Sequence, residues 1–322
     1  MELPLHFLFW MDPYETLNLE TETSLLMMGE LMKLGHQVDW VEMEGLSMEG
    51  ADLWGQVRSL RAVKPFALTP PVHKPLGGYD ALVVRKDPPF EINYYHSTLL
   101  LDHLPKRVVQ INPVAALRQF NEKLFGLFWP HLTPPTWTGM DLEGLLAFAL
   151  EHQKIVVKPL DDCSGRGITL VEAAQPGLRE NLADLLGAGP GKKRFVTAQR
   201  FIPKVSEGDK RIYLVNGKPL GWVNRVPAAG NFLGNIHQGA VCKSTEITAK
   251  EAEIVEFLGP QLRSRGLFLV GLDLVGEWVT EINLTSPSAI RQINEVMGKN
   301  LEIELVAQMV EYVRAEQGRA KG

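Results

Sequence analysis

Short apolar runs alternate along the chain with polar stretches rich in Gly and Pro, and the apolar spacing changes from that of strands to that of helices. Leu3–Trp10 (LPLHFLFW) is an apolar run broken at Met11-Asp12-Pro13, which predicts a strand and a turn. Glu22–Leu34 has the length and the residues of a helix and stops at Gly35. His36–Met43, Ala81–Val84 and Arg107–Ile111 read as further strands, and Tyr94–His103 as a helix. Glu44–Pro75 carries little periodicity, so loops and a short hairpin are expected there. Strands alternating with helical stretches predict an open α/β sheet, in which ligands bind beyond the carboxyl ends of the strands. Asp12 and Arg85 stand at such ends.

Asn121–Phe128 reads as the start of a new helix and Thr133-Pro134-Pro135 as a break, which places a domain boundary near residue 120. Ile155–Glu172 (IVVKPLDDCSGRGITLVE) predicts strand, loop and strand. Gly165 and Gly167 suit a flap that covers phosphates with backbone N–H groups. No Gly-Lys-Ser/Thr opens a helix, so this is not a P-loop. Lys158 lies inside a β-branched run, where its ammonium either meets an anion or snorkels out from an edge strand. Phe195–Ile202 is another strand. Lys210–Val215 and Pro219–Val226 form a hairpin about Asn216-Gly217 and carry Arg211 and Arg225. Ala228–Ser244, rich in Gly, Ala and Asn, has the profile of a lid loop. Glu251–Arg265 is helical with a kink point at Gly259-Pro260, and Leu301–Val313 is a closing amphipathic helix.

The stretch with most chemistry is Leu267–Arg291 (LFLVGLDLVGEWVTEINLTSPSAIR). Two apolar runs joined at Gly276-Glu277 predict a buried hairpin, into which Asp273, Glu281 and Asn283 are set. Glu281 and Asn283 share a face because they are two apart on one strand. Asp273 joins them only if the pairing is offset by an odd loop, Gly276-Glu277-Trp278, so that Val275 meets Val279 and Asp273 meets Glu281. Two carboxylates and an amide oxygen, with no Cys or His, suit Mg²⁺ and a phosphate-bearing substrate; a hairpin with an acidic edge facing water is the simpler alternative.

Composition narrows the function classes. Charged residues at 22% and hydrophobic ones at 45% describe an ordinary globular protein, and 322 residues allow two or three domains. A formal charge of −5 gives no reason to expect nucleic acid or an anionic membrane as partner. No apolar run is long enough to span a bilayer and no signal-peptide pattern opens the chain. Cys163 and Cys242 offer no disulfide framework, so a cytoplasmic location is expected. No Ser–His–Asp or Cys–His arrangement is evident, and the eight histidines are scattered.

Taken together the blocks resemble the bacterial glutathione synthetases of the ATP-grasp superfamily over almost the whole chain. The likeness lies in MDP at Met11–Pro13, RKDPPF at Arg85–Phe90, NEKLF at Asn121–Phe125 and KPLD at Lys158–Asp161. It continues in GDKR at Gly208–Arg211, VGLD at Val270–Asp273 and TEINLTSP at Thr280–Pro287. The resemblance implies an ATP-grasp α/β fold with three parts: an N-terminal α/β domain (1–120), a central lid (121–200) and a C-terminal catalytic part (201–322). It implies ATP and Mg²⁺ (or Mn²⁺) as cofactors, with γ-glutamylcysteine and glycine as substrates, in a homo-oligomer, a tetramer. Lys123 and Lys158 match lysines on ATP phosphates, Gln199 lies in the adenine segment, and Asp209 matches the acid on the ribose. Asp273, Glu281 and Asn283 match the metal ligands. Arg211 and Arg225 match arginines near the transferred phosphoryl group, and Asp12, Arg85 and Ser286 fall where the peptide-like substrate is held.

The chain departs from the family at Asp162 and Ser164, where glycines are usual, and at Leu233, where an arginine is usual; Ile236-His237-Gln238-Gly239 replaces a run of small residues. Arg166 and His237 are the nearest cations by sequence that could stand in. A ligase for another peptide or amino-acid carboxylate, and an ATP-binding regulator without turnover, are the alternatives.

Overall fold

The computed structural model describes residues 3–19, 21–162, 165–187, 193–228, 230–234 and 239–320. The first strand, β1 (His6–Trp10), shows how the layers form. Phe7 and Phe9 point to one side and Leu8 and Trp10 to the other, and all four are buried. Both faces of this strand are therefore covered, as parallel sheets require. Helix α1 (Thr23–Lys33) is capped by Glu22, whose carboxylate accepts from Ser24 N at 2.7 Å, and ends before Gly35 at φ 84°. Then come β2 (Gln37–Glu49), β3 (Asp52–Val63), β4 (Phe66–Leu68), β5 (Val72–Pro75), β6 (Ala81–Val84), α2 (Ile92–Leu101), β7 (Val109–Ile111) and α3 (Val114–Gln119). The sheet order is β4-β3-β2-β1-β6-β7 with β5 on β3, and β2, β1, β6 and β7 run parallel.

The expectation of loops and a short hairpin over Glu44–Pro75 is corrected. β2 and β3 make a long antiparallel ribbon that turns at Gly50-Ala51, with Glu49 opposite Asp52. The outer half of β2 is part-exposed with no alternation, and in β3 the buried positions Leu53, Gly55 and Val57 include a glycine, which interrupts the apolar pattern. A second correction concerns Asn121–Phe128, which holds turns and one 3-10 segment, Phe125–Phe128, instead of a helix start. The Asn121 carboxamide takes the Lys123 N–H at 3.0 Å, and Pro130 stops propagation.

The middle of the chain forms β8 (Thr136–Gly139), α4 (Leu142–His152), β9 (Lys154–Pro159), β10 (Thr169–Glu172), α5 (Leu178–Leu185) and β11 (Val196–Arg200). Its antiparallel sheet, β10-β9-β11-β8, closes on a small core of its own around Leu145, Ile155, Val157 and Leu182. The last part contains β12 (Asp209–Val215), β13 (Lys218–Val226), β14 (Val241–Lys243), α6 (Ala249–Arg263), β15 (Leu269–Val275), β16 (Trp278–Asn283), α7 (Ile290–Met297) and α8 (Leu301–Ala320). Asn216 and Gly217, at φ 49° and 74°, make the β12–β13 turn that the sequence predicts. The sheet order is β14-β13-β12-β15-β16.

The first and last sheets share both of their cores. Leu8 and Trp10 belong to one cluster with Ile212 and Leu272, while Phe7 and Phe9 belong to another with Tyr213, Phe268 and Val306. Buried Asn112, beyond β7, fastens the two together. Its amide donates to Leu269 O at 2.7 Å and Leu284 O at 2.8 Å, and its oxygen accepts from Phe268 N and Leu269 N. Helix α8 returns to the first layer, where Gln317 donates to Asp80 Oδ1 at 2.9 Å. The separate core of the middle sheet leaves a cleft between it and this fused body. Among the described residues no helix is long and apolar enough to cross a membrane.

Candidate active site

The β15–β16 hairpin places Asp273 opposite Glu281 and Gly271 opposite Asn283, which is the expected register reached by a different route. The turn has two residues, not three: Val275 pairs with Trp278 across Gly276-Glu277, and Gly276 takes φ 60°. Leu274 then pairs with Val279, and Thr280 is left over as a bulge that restores Asp273 to the face of Glu281. A two-residue turn suits the twist of the strands, and the bulge supplies the offset that an odd loop was expected to give.

From this face a chain of charges runs across the sheet. Arg211 on β12 stands opposite Asp273 and grips it with Nε on Oδ1 and Nη2 on Oδ2 at 2.9 Å. Arg225 on β13 stands opposite Asp209, donates to its Oδ2 at 2.8 Å, and reaches Asp273 Oδ2 at 3.1 Å. Asn283 Nδ2 donates to Asp273 Oδ2 at 3.2 Å. All four charged groups are buried or nearly so. Burial pushes the Asp273 carboxyl up, but the two guanidinium groups outweigh it and hold it well below the usual carboxylate range. For Asp209 burial wins over Arg225, and the carboxyl is raised. Its Oδ1 is buried with no hydrogen-bond partner among the described residues.

Two lysines complete the group from different elements: Lys158 from the middle sheet, and Lys123 from the turn that Glu122 binds to β16. Lys158 on β9 is buried, and its Nζ donates to Gln199 Oε1 at 2.8 Å and to Thr280 O at 3.4 Å. Burial lowers its pKa, the Lys123 charge adds to this, and Glu281 opposes it. Lys123 donates to the Asp162 carbonyl and lies 3.4 Å from Glu281 Oε1. The flap between β9 and β10 contains Gly165 and Gly167 at φ 78° and 69°, a conformation that glycine adopts without strain. It is tied to the first layer by Phe90 N on Asp161 O at 2.9 Å, and to the turn after that layer by Asn121 Nδ2 on Leu160 O at 2.8 Å. Cys163, Ser164 and His237, which the sequence singles out, lie outside the described residues.

Two cavities meet at Glu281. The larger, about 580 Å³, is lined by Asp12, Ser286, Arg211, Arg225, Asn283 and Arg166. The smaller, about 80 Å³, is a partly apolar slot that brings Lys158, Gln199, Asp209 and Asp273 together. Leu233 faces this slot, so it stands on the apolar side of the cleft and not on the larger cavity.

Arg85 stands behind the cavity wall. Its side chain is fully buried and does not line the larger cavity; it donates to Ser24 Oγ and to Pro287 O, each at 2.8 Å, and lies 3.8 Å from Glu22. It therefore supports the Ser286–Pro287 wall from behind. Glu122 was missed by sequence reasoning. Its carboxylate accepts from Leu284 N, Thr285 N and the Thr285 hydroxyl, fixing the end of β16, and burial raises its pKa. Its place between Asn121 and Lys123 in the NEKLF block was the available signal.

The chain matches the family models for the prokaryotic glutathione synthetase N-terminal domain over residues 5–118 and for the ATP-grasp domain over 122–298. It is 36% identical over 315 residues to a glutathione synthetase of Bradyrhizobium diazoefficiens, covering 97% of this chain and 98% of the relative. It is 33% identical over 312 residues to that of Coxiella burnetii, covering 95% of each. Among solved structures, the D-cycloserine synthetase DcsG superposes with a TM-score of 0.69 at 14% identity, over 95% of this chain and 99% of that one. D-alanyl-alanine synthetase A from Vibrio cholerae superposes at 0.59 and 13%, over 98% and 99%. A glycine flap over two lysines, a hairpin of acids facing two arginines, and near full-length similarity agree: the chain belongs to the prokaryotic glutathione synthetase family, ATP-grasp enzymes that join a carboxylate to an amine with ATP.

Proposed function

We propose that the protein joins γ-glutamylcysteine to glycine, converting ATP to ADP and phosphate. The observation that carries this reading is the meeting of a narrow, partly apolar slot and a larger polar cavity at Glu281, with Lys158, Arg211 and Arg225 in their walls and Lys123 3.4 Å from Glu281. A carboxylate does not accept an amine directly because its leaving group is poor. Transfer of the γ-phosphoryl forms a bond from carboxylate oxygen to phosphorus and releases ADP. The amine then attacks the acyl carbon, the carbon–oxygen bond to phosphate breaks, and the amine loses a proton. Both steps gather negative charge that fixed cations stabilise in a site shielded from water.

In this reading the apolar slot takes the base beside Gln199, and the unpartnered Asp209 Oδ1 accepts from a ribose hydroxyl. Lys123, Lys158 and the backbone of Gly165 and Gly167 hold phosphates. Arg211 and Arg225 face the transferring group, and Asp12 and Ser286 hold the peptide. Glu281, Asn283 and Asp273 offer hard oxygen donors on one face, the donor chemistry Mg²⁺ takes; Glu281 and Asn283 would hold the ion, and Asp273 could join them only by releasing Arg211 and Arg225. The ion would supply further positive charge at the phosphates. The resemblance also supports a cytoplasmic homo-oligomer, a tetramer, which light scattering measures. The test of the activity is phosphate release from ATP, with γ-glutamylcysteine plus glycine and with a panel of other peptide carboxylates. A wide preference for another carboxylate would overturn the substrate assignment.

A further inference from the structure

The larger cavity has two chemically different ends. At the Glu281 end, Arg211 and Arg225 are committed to Asp273 and Asp209 in pairs whose side chains are 4–15% exposed. On the wall that the first layer contributes stand three acids, Asp12, Glu22 and Asp87. Asp12 is held there by Lys86 Nζ at 2.5 Å and by Asp87 N at 2.8 Å. Asp12 is paired with Lys86 and Glu22 lies 3.8 Å from Arg85, but neither cation lines the cavity, so these carboxylates receive an ammonium group more readily than a carboxylate.

Among the described lining residues the cations are Arg166, Arg211 and Arg225, and Arg166 is the one beside the acidic wall. Its Nη2 lies 3.4 Å from Pro88 O, next to Asp87. Its Nε donates to Asp162 Oδ1 at 2.7 Å, on its own flap. That pair is open to water, with side-chain exposures of 54% and 30%, so its contribution is small and readily exchanged. A planar guanidinium offers a second carboxylate a bidentate contact.

We propose that Arg166 selects an acyl substrate with a second, non-reacting carboxylate, which takes the place of Asp162 on its guanidinium. The assignment rests on the reading of the protein as a γ-glutamyl peptide ligase. The reacting carboxylate lies at the Glu281 end. The glutamyl head group lies at the other, with its ammonium toward Asp12, Glu22 and Asp87 and its α-carboxylate on Arg166. One flap residue thereby couples substrate recognition to the position of the loop that also covers ATP.

The experiment compares wild type, Arg166→Ala and Arg166→Lys with two peptides: γ-glutamylcysteine, and 4-aminobutanoyl-cysteine, which keeps the ammonium and lacks the α-carboxylate. KM is also measured for ATP and glycine. Loss of a charge-assisted bidentate contact should raise the KM of Arg166→Ala for γ-glutamylcysteine about ten- to a hundredfold. The KM for ATP and glycine should stay within about twofold, and the preference of wild type for γ-glutamylcysteine over the analogue should vanish. Arg166→Lys should recover part of that preference. Equal losses with both peptides, or a change confined to ATP, would overturn the assignment while leaving the ligase reading in place. A wild type that releases phosphate with neither peptide would overturn both.

Discussion

The charged residues of the β12–β15–β16 face and those of the flap are built from the same carboxylate and guanidinium groups, yet they sit in opposite environments. On the sheet, Asp209, Arg225, Asp273 and Arg211 alternate in sign across neighbouring strands and are shut away from water. On the flap, Asp162 and Arg166 are held in a solvated loop beside glycines at positive φ. The buried set cannot lose one member without leaving another uncompensated, so it is fixed before substrate arrives. The exposed set can change partners at little cost. Preorganisation for phosphoryl transfer and adaptability for substrate entry are thus divided between a sheet and a loop.

Breaking the buried set should have the largest effect. Asp273→Asn leaves two guanidinium groups facing a neutral amide, and is expected to abolish turnover and to lower stability by about 3–5 kcal/mol, read by denaturant unfolding. Glu281→Gln should also abolish turnover, but with little change in stability, because Glu281 is less buried and touches only the edge of the network at Lys123. Equal stability losses in the two variants would show that the network is not the distinct unit described here.

An intermediate effect is expected at Lys158, which is buried like the sheet residues but has no carboxylate partner within hydrogen-bond reach among the described residues. Burial depresses its pKa in the folded state. At pH values below that depressed pKa the ammonium is charged both folded and unfolded, and its burial counts fully against folding. As pH rises from there toward the ordinary lysine range, the folded protein gives up the proton first and the penalty is relieved. ATP affinity should move the other way, falling as pH rises through the depressed pKa. Lys158→Met should weaken ATP binding by about ten- to a hundredfold and make it insensitive to pH in this window, while raising the stability of the ligand-free protein by about 1 kcal/mol. Titration of ATP at several pH values measures the first, and thermal unfolding without nucleotide the second. A wild-type affinity that stays flat to the ordinary lysine range would remove Lys158 from the phosphate site.

The smallest effect is expected on the flap. Asp162→Asn removes the exposed partner of Arg166 and should change stability by no more than about 0.5 kcal/mol by calorimetry. A loss of several kcal/mol would make the flap pair structural and erase the contrast with the sheet.

Much of the site was legible because its residues violate their surroundings. An acid in GLDLV and a lysine in IVVKP are conspicuous in apolar strands, and the structure brings Asp273 and Lys158 to the same slot. The β12–β13 hairpin was legible from Asn216-Gly217, whose left-handed turn is a local property. The β2–β3 ribbon was not, because the outer half of β2 is part-exposed without alternation and the alternating positions of β3 include Gly55. Arg85 was legible as a charge at a strand end, but only packing sets its side chain against Ser24 and Pro287.

The sequence by itself determined the alternation of strands and helices, the hairpin carrying Asp273, Glu281 and Asn283, and the identities of the lysines and arginines around it. These follow from periodicity, turn chemistry and charge, which act over a few residues. Tertiary structure alone decided the bulge at Thr280, the sharing of two cores between the first and last sheets, the hidden place of Arg85, and the choice of partners for Asp273. Each of these sets residues far apart in the chain against one another, and which arrangement wins depends on burial and pairing that no local pattern encodes.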